Sequence, residues 1–257
     1  MTGGEADLGG EVRLGSMLFT LVEPHRGHEA AYNRWYERDH FYAGCLVGPW
    51  LFAGRRWVAT RALKDLRFGT DVDRFGGAAR GSYVAVYWIL DGRHDDHVDW
   101  ALRQVHWLHA NGRMFAERDH VHTLMYRHAW TTGTSGVPAE LALDHPFSGM
   151  TATLVRPAPG VTTDEVGRFV AERFTPELEL GFTPIPLDPD APVAQEGADV
   201  EGCSLHLSFT HDSPATWWDE QRAAARVLAD EGVGQMLWTA PFIPTIPGTD
   251  TYTDELW

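Results

Sequence analysis

The residues best suited to chemistry lie close together in one short segment, EAAYNRWYERDH, which runs from Glu29 to His40. At about 100° per residue, an α-helix through this segment gathers four unlike polar side chains within roughly 40–60° of one another. These are Glu29, Asn33, Tyr36 and His40. A purely structural helix rarely carries such a mixture along the border of its buried face. The pattern therefore predicts a binding pocket or an active site.

The same side chains have distinct chemical roles in such a site. His40 is the candidate catalytic residue that takes and returns a proton near neutral pH. Tyr36 and Asn33 would bind a substrate oxygen or fix the imidazole, while Glu29 and Trp35 would contact the substrate. The alternative is a helix face whose polar groups satisfy one another by hydrogen bonding.

A second pair of candidates, Arg55 and Arg56, follows in the segment WLFAGRRWVATR. In a regular strand, neighbouring residues point to opposite faces, so one arginine should face the helices. A guanidinium there would bind a carboxylate or an enolate. A structural salt bridge with Glu29 or Asp39 is the alternative interpretation.

Aromatic residues and histidines add further candidates for a pocket wall. The chain has 11 tryptophans, and Trp88 is the candidate substrate contact in the predicted strand 82–90. Aromatic walls suit a flat hydrophobic ligand, although ordinary core filling would use the same residues. His109 lies on the predicted apolar stripe of a helix at 94–112, where it would be a core histidine or line the pocket.

His120 and His122 are the candidates for metal ligands, because two histidines at i and i+2 share one face of a regular strand. A third ligand at a recognisable spacing is missing from the sequence, so no metal is expected. No motif supports haem ligation either. We therefore expect no cofactor.

The predicted elements occur in the order β-α-β-β-α-β, and this order occurs twice. Strands that end at a proline, a capping box at Thr162 and Gly- or Pro-rich turns set most of the boundaries. The predicted strands are 16–25, 50–61, 82–90, 120–130, 150–160, 182–187, 203–212 and 234–243, and the predicted helices are 28–46, 94–112, 164–180 and 213–231.

This order is the ferredoxin-like motif. One such unit leaves an apolar sheet face bare, and that face must be covered. The predicted fold class is therefore α+β, with tandem ferredoxin-like repeats packed sheet to sheet as one barrel. The predicted parts are a disordered lead-in (1–15), a first repeat with the active site (16–130), a linker (131–148), a second, structural repeat (149–245) and a tail (246–257).

The first repeat also resembles a known family. A strand beginning Met17-Leu18 precedes the helix with Glu29, Asn33, Trp35, Tyr36 and His40, and Gly48-Pro49 then leads to Arg55 and Arg56. This combination resembles the dimeric α/β-barrel superfamily, and most closely its EthD-like branch. The resemblance is at motif level over 16–61 and at the level of topology elsewhere. It implies a fused dimeric α/β barrel, but the superfamily includes cyclases, monooxygenases, haem enzymes and lyases.

Charge and composition restrict the partners. The formal net charge of −15 makes nucleic acid and anionic membranes unexpected partners. No run of residues approaches the ~20 apolar residues of a membrane span. Two distant cysteines, Cys45 and Cys203, are typical of free, buried thiols in a cytoplasmic protein. The expected state is a monomeric pseudo-dimer or a homodimer.

These observations lead to a functional hypothesis. The chain is predicted to be a cofactor-independent lyase or cyclase that uses acid/base chemistry on a small hydrophobic carbonyl or polyketide-like compound of secondary metabolism. The alternatives are a cofactor-free monooxygenase, which would be an oxidoreductase, a haem-binding barrel enzyme, and a non-catalytic protein that binds a small molecule.

Overall fold

The computed structural model describes residues 11–186 and 199–257. The first repeat consists of β1 (Leu14–Pro24), α1 (Glu29–Trp35), a π-helical segment (Tyr36–Leu46), β2 (Leu51–Val58), the short α2 (Arg61–Lys64), β3 (Tyr83–Leu90), α3 (His94–Ala110) and β4 (Arg118–Thr132). The second repeat consists of β5 (Gly149–Pro157), α4 (Thr163–Arg173), β6 (Leu178–Ile185), β7 (Ser204–Thr210), α5 (Trp218–Asp230) and β8 (Gly234–Pro244). Short 3₁₀ turns lie at Ala139–Leu141 and Pro214–Trp217.

The eight strands within the described residues form one closed barrel in the order β1-β3-β2-β8-β5-β7-β6-β4. Each repeat contributes four neighbouring strands in the same internal order, and all recorded strand pairs are antiparallel. The two sheets join at both edges, through β2 with β8 and β4 with β6. The predicted fold class, a fused barrel of tandem ferredoxin-like repeats, is confirmed. Edge pairing also protects the strand edges that a single open sheet would expose.

The barrel interior is the main core. Along β1, Met17, Phe19 and Leu21 face inward and are almost completely buried, whereas Leu18, Thr20 and Val22 face the helices. This alternation follows from the two-residue period of a strand. Because large side chains such as Trp57, Trp88 and Trp238 fill the interior, the spaces for ligands lie outside the barrel, between the sheet and the helices.

Two helices differ from the sequence-based expectation. The predicted helix 164–180 ends at Arg173, because Thr175 adopts a positive φ of 40° and Pro176 follows it. The strand predicted at 182–187 therefore begins earlier, at Leu178. The predicted helix 28–46 is present, but from Tyr36 onward it is π-helical. The first helix of the second repeat is thus much shorter than that of the first.

The start of the first repeat also differs from the predicted boundary, and the C-terminal tail is packed against the protein. Strand β1 begins at Leu14, within the predicted lead-in, and residues 1–10 lie outside the described residues. The C-terminal tail packs on the first repeat, where Leu256 is fully buried and the Glu255 carbonyl accepts from the Arg61 amide at 2.7 Å.

Cys45 and Cys203 are free and buried, as predicted. None of the helices in the described ranges combines the length and apolar character that crossing a membrane requires.

Candidate functional site

A cavity of about 520 Å³ lies in the first repeat, outside the barrel. Its floor is the outward face of β1 and β4, and its walls are the π-helical segment and α3. The polar side chains along it include Thr20, Tyr36, His40, His94, Asp95, His97, Asp99, Arg118, His120 and Thr123. The apolar ones include Leu18, Val22, Val98, Leu102, Val105, Met114, Met125 and Ile185. The volume is typical of a site for a small organic ligand.

His40 lines this cavity and is held by aromatic packing. Its imidazole stacks on the Trp35 indole, with ring centroids 4.5 Å apart and an 18° interplanar angle, and meets the edge of Tyr36 at 5.3 Å. Its Nδ1 is buried and has no hydrogen-bond partner among the described residues. Burial, followed by repulsion from Arg118 and His120, lowers the pKa of His40 to about 3. The imidazole is therefore neutral at physiological pH.

Gly44 makes the position of His40 sterically possible. A Cβ atom at Gly44 would lie 2.7 Å from His40 Cε1 and 2.8 Å from Nδ1. Real Cβ contacts are essentially never this short, so a larger residue would displace the ring. The π-helical backbone and the missing side chain together leave room for the imidazole beside its own helix.

Tyr36 lies next to His40 on the same cavity wall. Its hydroxyl shares a hydrogen bond of 2.9 Å with the hydroxyl of Tyr87, and either oxygen can be the donor. Burial raises the pKa of Tyr36 well above its ordinary value. The phenol thus stays protonated and is available only as a neutral hydrogen-bonding group.

Asn33 does not join His40 and Tyr36 along the cavity, contrary to the helical projection. Its Oδ1 accepts from Arg56 at 2.9 Å, and its Nδ2 donates to the Thr249 carbonyl at 2.8 Å. The projection assumed 100° per residue, whereas the helix widens to a π-helical turn after Trp35. Asn33 therefore faces the C-terminal tail, and its direct contacts are structural.

Arg55 and Arg56 point to opposite faces of β2, and Arg56 is the one that faces the helices. Arg56 is 5% exposed, donates to Asn33 and to Glu37 Oε1 at 3.2 Å, and lies 4.5 Å from the Tyr36 ring centroid. It is absent from the residues along the cavity, so it reaches the site only through Tyr36. Arg55 instead lies over the Trp57 ring at 4.5 Å and donates to the His145 carbonyl at 2.5 Å.

Three further candidates lie away from the cavity. Trp88 is buried inside the barrel and donates to the Ala139 carbonyl at 3.1 Å, since it is on the inward face of β3. His109 is exposed, because the buried stripe of α3 passes through Leu108. The Glu29 carboxylate is bound at the surface by the Gly27 amide and the Trp257 indole, at 2.9 and 2.5 Å. The expectation that these three residues line one pocket with His40 is wrong.

The prediction that His120 and His122 share a strand face is also wrong. A β-bulge interrupts the β1–β4 pairing, so Leu21 pairs with His122 and Val22 with His120. His120 faces the cavity, whereas His122 lies inside the barrel, 4.7 Å from the Phe75 ring and 2.6 Å from the Tyr126 hydroxyl. Within the described ranges, no group of three or more His, Cys, Asp or Glu residues is arranged to hold a metal.

Arg118 and His120 are cavity residues that the sequence interpretation did not place beside His40. Arg118 Nη2 lies 3.3 Å from His120 Nε2, and its guanidinium carbon is 4.9 Å from the Trp35 ring centroid. His120 Nδ1 is 2.9 Å from the Thr123 hydroxyl. Burial and Arg118 lower the pKa of His120 to about 4. Arg118 thus brings a positive charge to a wall whose two nearby imidazoles are neutral.

The sequence could have identified Arg118 as a cavity residue, but only if the start of the strand had been predicted correctly. Strand β4 begins at Arg118, two residues before the predicted start at 120. Extending the strand by one alternation would have placed Arg118 on the same face as His120. Trp35 and Arg118 are 83 residues apart in the sequence, and only the fold brings them into contact.

Neither the family models nor the curated proteins include a match to this chain. Solved structures with a similar course of the chain include a DyP-type peroxidase from Mycobacterium smegmatis, with 12% identity, a TM-score of 0.47, and coverage of 97% of this chain and 96% of that chain. DyPB from Rhodococcus jostii RHA1 has 9% identity, a TM-score of 0.47, and 94% coverage of both chains. A dye-decolorizing protein from V. cholerae has 11% identity, a TM-score of 0.45, and coverage of 95% and 97%. At these values, the reaction and the cofactor of this chain must be argued from its own residues.

Proposed function

We propose that the first repeat is an enzyme that moves a proton on a small hydrophobic carbonyl compound, as a cofactor-independent lyase or cyclase. The observation that carries this proposal is the setting of His40. Its neutral ring lines a ligand-sized cavity next to the Arg118 cation. Such a base beside a positive charge suits a substrate that gains negative charge.

The walls of the cavity support a particular class of substrate. The buried side of α3 presents Val98, Leu102 and Val105, and the opposite floor presents Leu18 and Met125. These surfaces favour an apolar ligand body, and the polar groups are concentrated near His40 and at the start of α3. A flat, polyketide-like or phenolic carbonyl compound matches this division between apolar walls and a polar end.

The proton transfer can be written with the groups that line the cavity. His40 accepts a proton from the carbon next to the carbonyl, and the electron pair of that C–H bond moves to the carbonyl oxygen. The resulting enolate is stabilised by Arg118, whose guanidinium stays charged. The same imidazole returns the proton after a bond of the substrate has broken or closed. Tyr36 supports the ring by its edge contact with His40.

The low pKa of His40 is compatible with this role because one of its causes, the charge of Arg118, is offset by an anionic ligand. Burial is the largest cause, but repulsion by Arg118 and His120 lowers the pKa further. A ligand oxygen that becomes negative beside Arg118 offsets this repulsion. We therefore expect the basicity of His40 to rise when the ligand is bound, as the transition state develops.

The proposal is tested by deuterium exchange at the acidic carbon of 2-tetralone, a small aromatic ketone, followed by NMR in D₂O. The protein should accelerate exchange, and His40→Gln should reduce the acceleration at least tenfold while the circular dichroism spectrum is retained. His109→Gln is the matched control, because His109 is an exposed histidine outside the cavity. Equal exchange with the wild type and His40→Gln would contradict the proposal.

A non-catalytic binding protein is the second candidate, and one observation favours it. The carboxylate nearest in sequence, Asp39, forms an ion pair with Arg113 instead of orienting the His40 ring. An imidazole without an orienting partner is a less effective base. Under this alternative, 2-tetralone binds in the cavity without any acceleration of exchange.

A haem-binding barrel enzyme is a further alternative, and an absorption spectrum of the purified protein would reveal haem.

A further inference from the structure

The second repeat has a cavity of its own, of about 590 Å³, between α4, α5 and the outward face of the sheet. It occupies the place in the second repeat that the His40 cavity occupies in the first, since each lies between a four-stranded sheet and its two helices. The sequence interpretation treated the second repeat as a structural partner. The side chains on the floor of this cavity indicate more than packing.

Four buried polar side chains form one hydrogen-bonded chain across that floor. Ser204 Oγ lies 3.0 Å from His206 Nε2, and His206 Nδ1 lies 3.1 Å from Glu179 Oε1. The Ser208 hydroxyl donates to Glu179 Oε2 at 2.9 Å. All four residues are at most 9% exposed. Ser204, His206 and Ser208 follow one another on the outward face of β7, and Glu179 pairs with Ser208 across the sheet.

Three members of this hydrogen-bonded chain, Glu179, His206 and Ser208, also line the cavity. A carboxylate has about four acceptor positions, and His206 and Ser208 occupy two of those of Glu179. A neutral His206 forms these bonds when Ser204 donates to its Nε2 and its Nδ1–H donates to Glu179, whereas a protonated His206 would donate to both partners. In the neutral form, the histidine does not balance the charge of the carboxylate.

The other charges along the cavity do not balance Glu179 either. Arg173 is the one arginine or lysine among the described residues that line it, and Arg173 is ion-paired with Glu231 at 2.6 Å. Two further carboxylates, Glu177 and Glu220, also line the cavity. A buried charge is costly unless it is paired, so this cavity suits a ligand that brings a positive charge.

We propose that the second repeat is a binding site for an apolar amine, whose ammonium group is bound by Glu179. The apolar body of the amine would pack against Val166, Val170 and Leu228, which α4 and α5 present to the cavity. His206 and Ser208 hold the Glu179 carboxylate in place. The volume of about 590 Å³ fits a small aromatic or aliphatic amine.

The test uses the full chain and isothermal titration calorimetry with 2-phenylethylamine. The amine should bind at least tenfold more tightly than the neutral 3-phenylpropanol, and Glu179→Gln should weaken amine binding at least tenfold. Glu172→Gln is the matched control: it removes one carboxylate from the exposed side of α4 and should leave binding unchanged. Ala224→Phe, which fills the cavity from α5, should abolish binding without touching the polar chain.

Absence of amine binding at millimolar concentration, or tighter binding of the alcohol, would overturn the proposal. So would unchanged amine binding in folded Glu179→Gln or Ala224→Phe, because the amine would then occupy another place. If Glu179→Gln does not fold, Ala224→Phe decides the question alone. A His40→Gln variant should keep the amine site, which separates this proposal from the function of the first repeat.

Discussion

The imidazole of His40 lies flat on the indole of Trp35, with ring centroids 4.5 Å apart and planes 18° from parallel. The indole is itself fixed, because its Nε1 donates to the Arg113 carbonyl at 2.9 Å. This stack holds the candidate base against one wall of the cavity without a hydrogen bond to its Nδ1. Aromatic packing, together with a glycine, therefore sets the geometry that a carboxylate sets in many other enzymes.

Replacing Gly44 by Ala should displace the His40 ring. The new Cβ would lie 2.7 Å from His40 Cε1, which is too close for a real contact. Over-packing of this kind typically costs about 1–3 kcal/mol, or is relieved by movement of the side chain. We expect Gly44→Ala to reduce the exchange of 2-tetralone at least tenfold and to lower the melting temperature modestly.

Tyr42→Ala is the control for this variant. Tyr42 lies in the same π-helical segment but is 54% exposed. Its removal should leave exchange almost unchanged. A Gly44→Ala variant as active as the wild type would show that the position of the ring next to Gly44 is unimportant.

The buried histidines should make the protein less stable in acid. The pKa of His40 is about 3, that of His122 about 3 and that of His120 about 4, against about 6.5 in an unfolded chain. Between these values the unfolded state binds more protons, so the free energy of unfolding rises with pH. Each such histidine adds at most about 1.4 kcal/mol per pH unit to that slope. Urea unfolding at several pH values between 4 and 6.5 measures it.

The contribution of His40 can be separated with one variant. His40→Gln should flatten the dependence of unfolding free energy on pH within this window, because one depressed pKa is removed. His109→Gln, which changes an exposed histidine, serves for comparison. If the two variants had identical slopes, His40 would not titrate with the depressed pKa assigned to it.

Replacing Arg118 by Gln should raise the pKa of His40 from its value of about 3. The reason is that repulsion from Arg118 is the second largest cause that lowers it, after burial. NMR titration of the His40 ring signals measures the shift. Arg34→Gln is the control, since Arg34 pairs with Asp250 at the surface. A lower or unchanged pKa in Arg118→Gln would mean that the guanidinium does not act on the ring.

Asn33→Ala should weaken the C-terminal tail more than the His40 cavity. The substitution removes the bond to the Thr249 carbonyl and one acceptor of the buried Arg56. Loss of a partner for a buried polar group costs about 1–3 kcal/mol. We expect faster hydrogen exchange in residues 248–256, with deuterium exchange of 2-tetralone largely kept. Loss of that activity with an intact tail would restore Asn33 as a catalytic candidate.

The sequence was sufficient to predict the strand and helix order and the closed arrangement of two repeats. Runs of apolar and β-branched residues in β1, β3 and β5 and the capping box at Thr162 carry that information locally. The opposite directions of Arg55 and Arg56 also followed from the period of a strand. The resemblance to the EthD-like branch stays a prediction, because it rests on motifs in residues 16–61.

The details of the site depended on features that a regular period does not include. The π-helical turn after Trp35 separates Asn33 from His40, and the β-bulge between the partners of Leu21 and Val22 separates His120 from His122. Asn33 also finds its partner Thr249 more than 200 residues away. Such long-range contacts decide which face of a helix becomes a pocket, and the local sequence does not determine them.

The most direct test of the central claim is to observe His40 itself while a ligand binds. In protein labelled with ¹⁵N-histidine, 2-naphthol, a stable aromatic enol, should shift the His40 ring signals strongly and raise the pKa read from them. The signals of the exposed His109 should not move. A naphthol that binds without affecting the His40 signals, or that does not bind at millimolar concentration, would contradict a carbonyl site at His40.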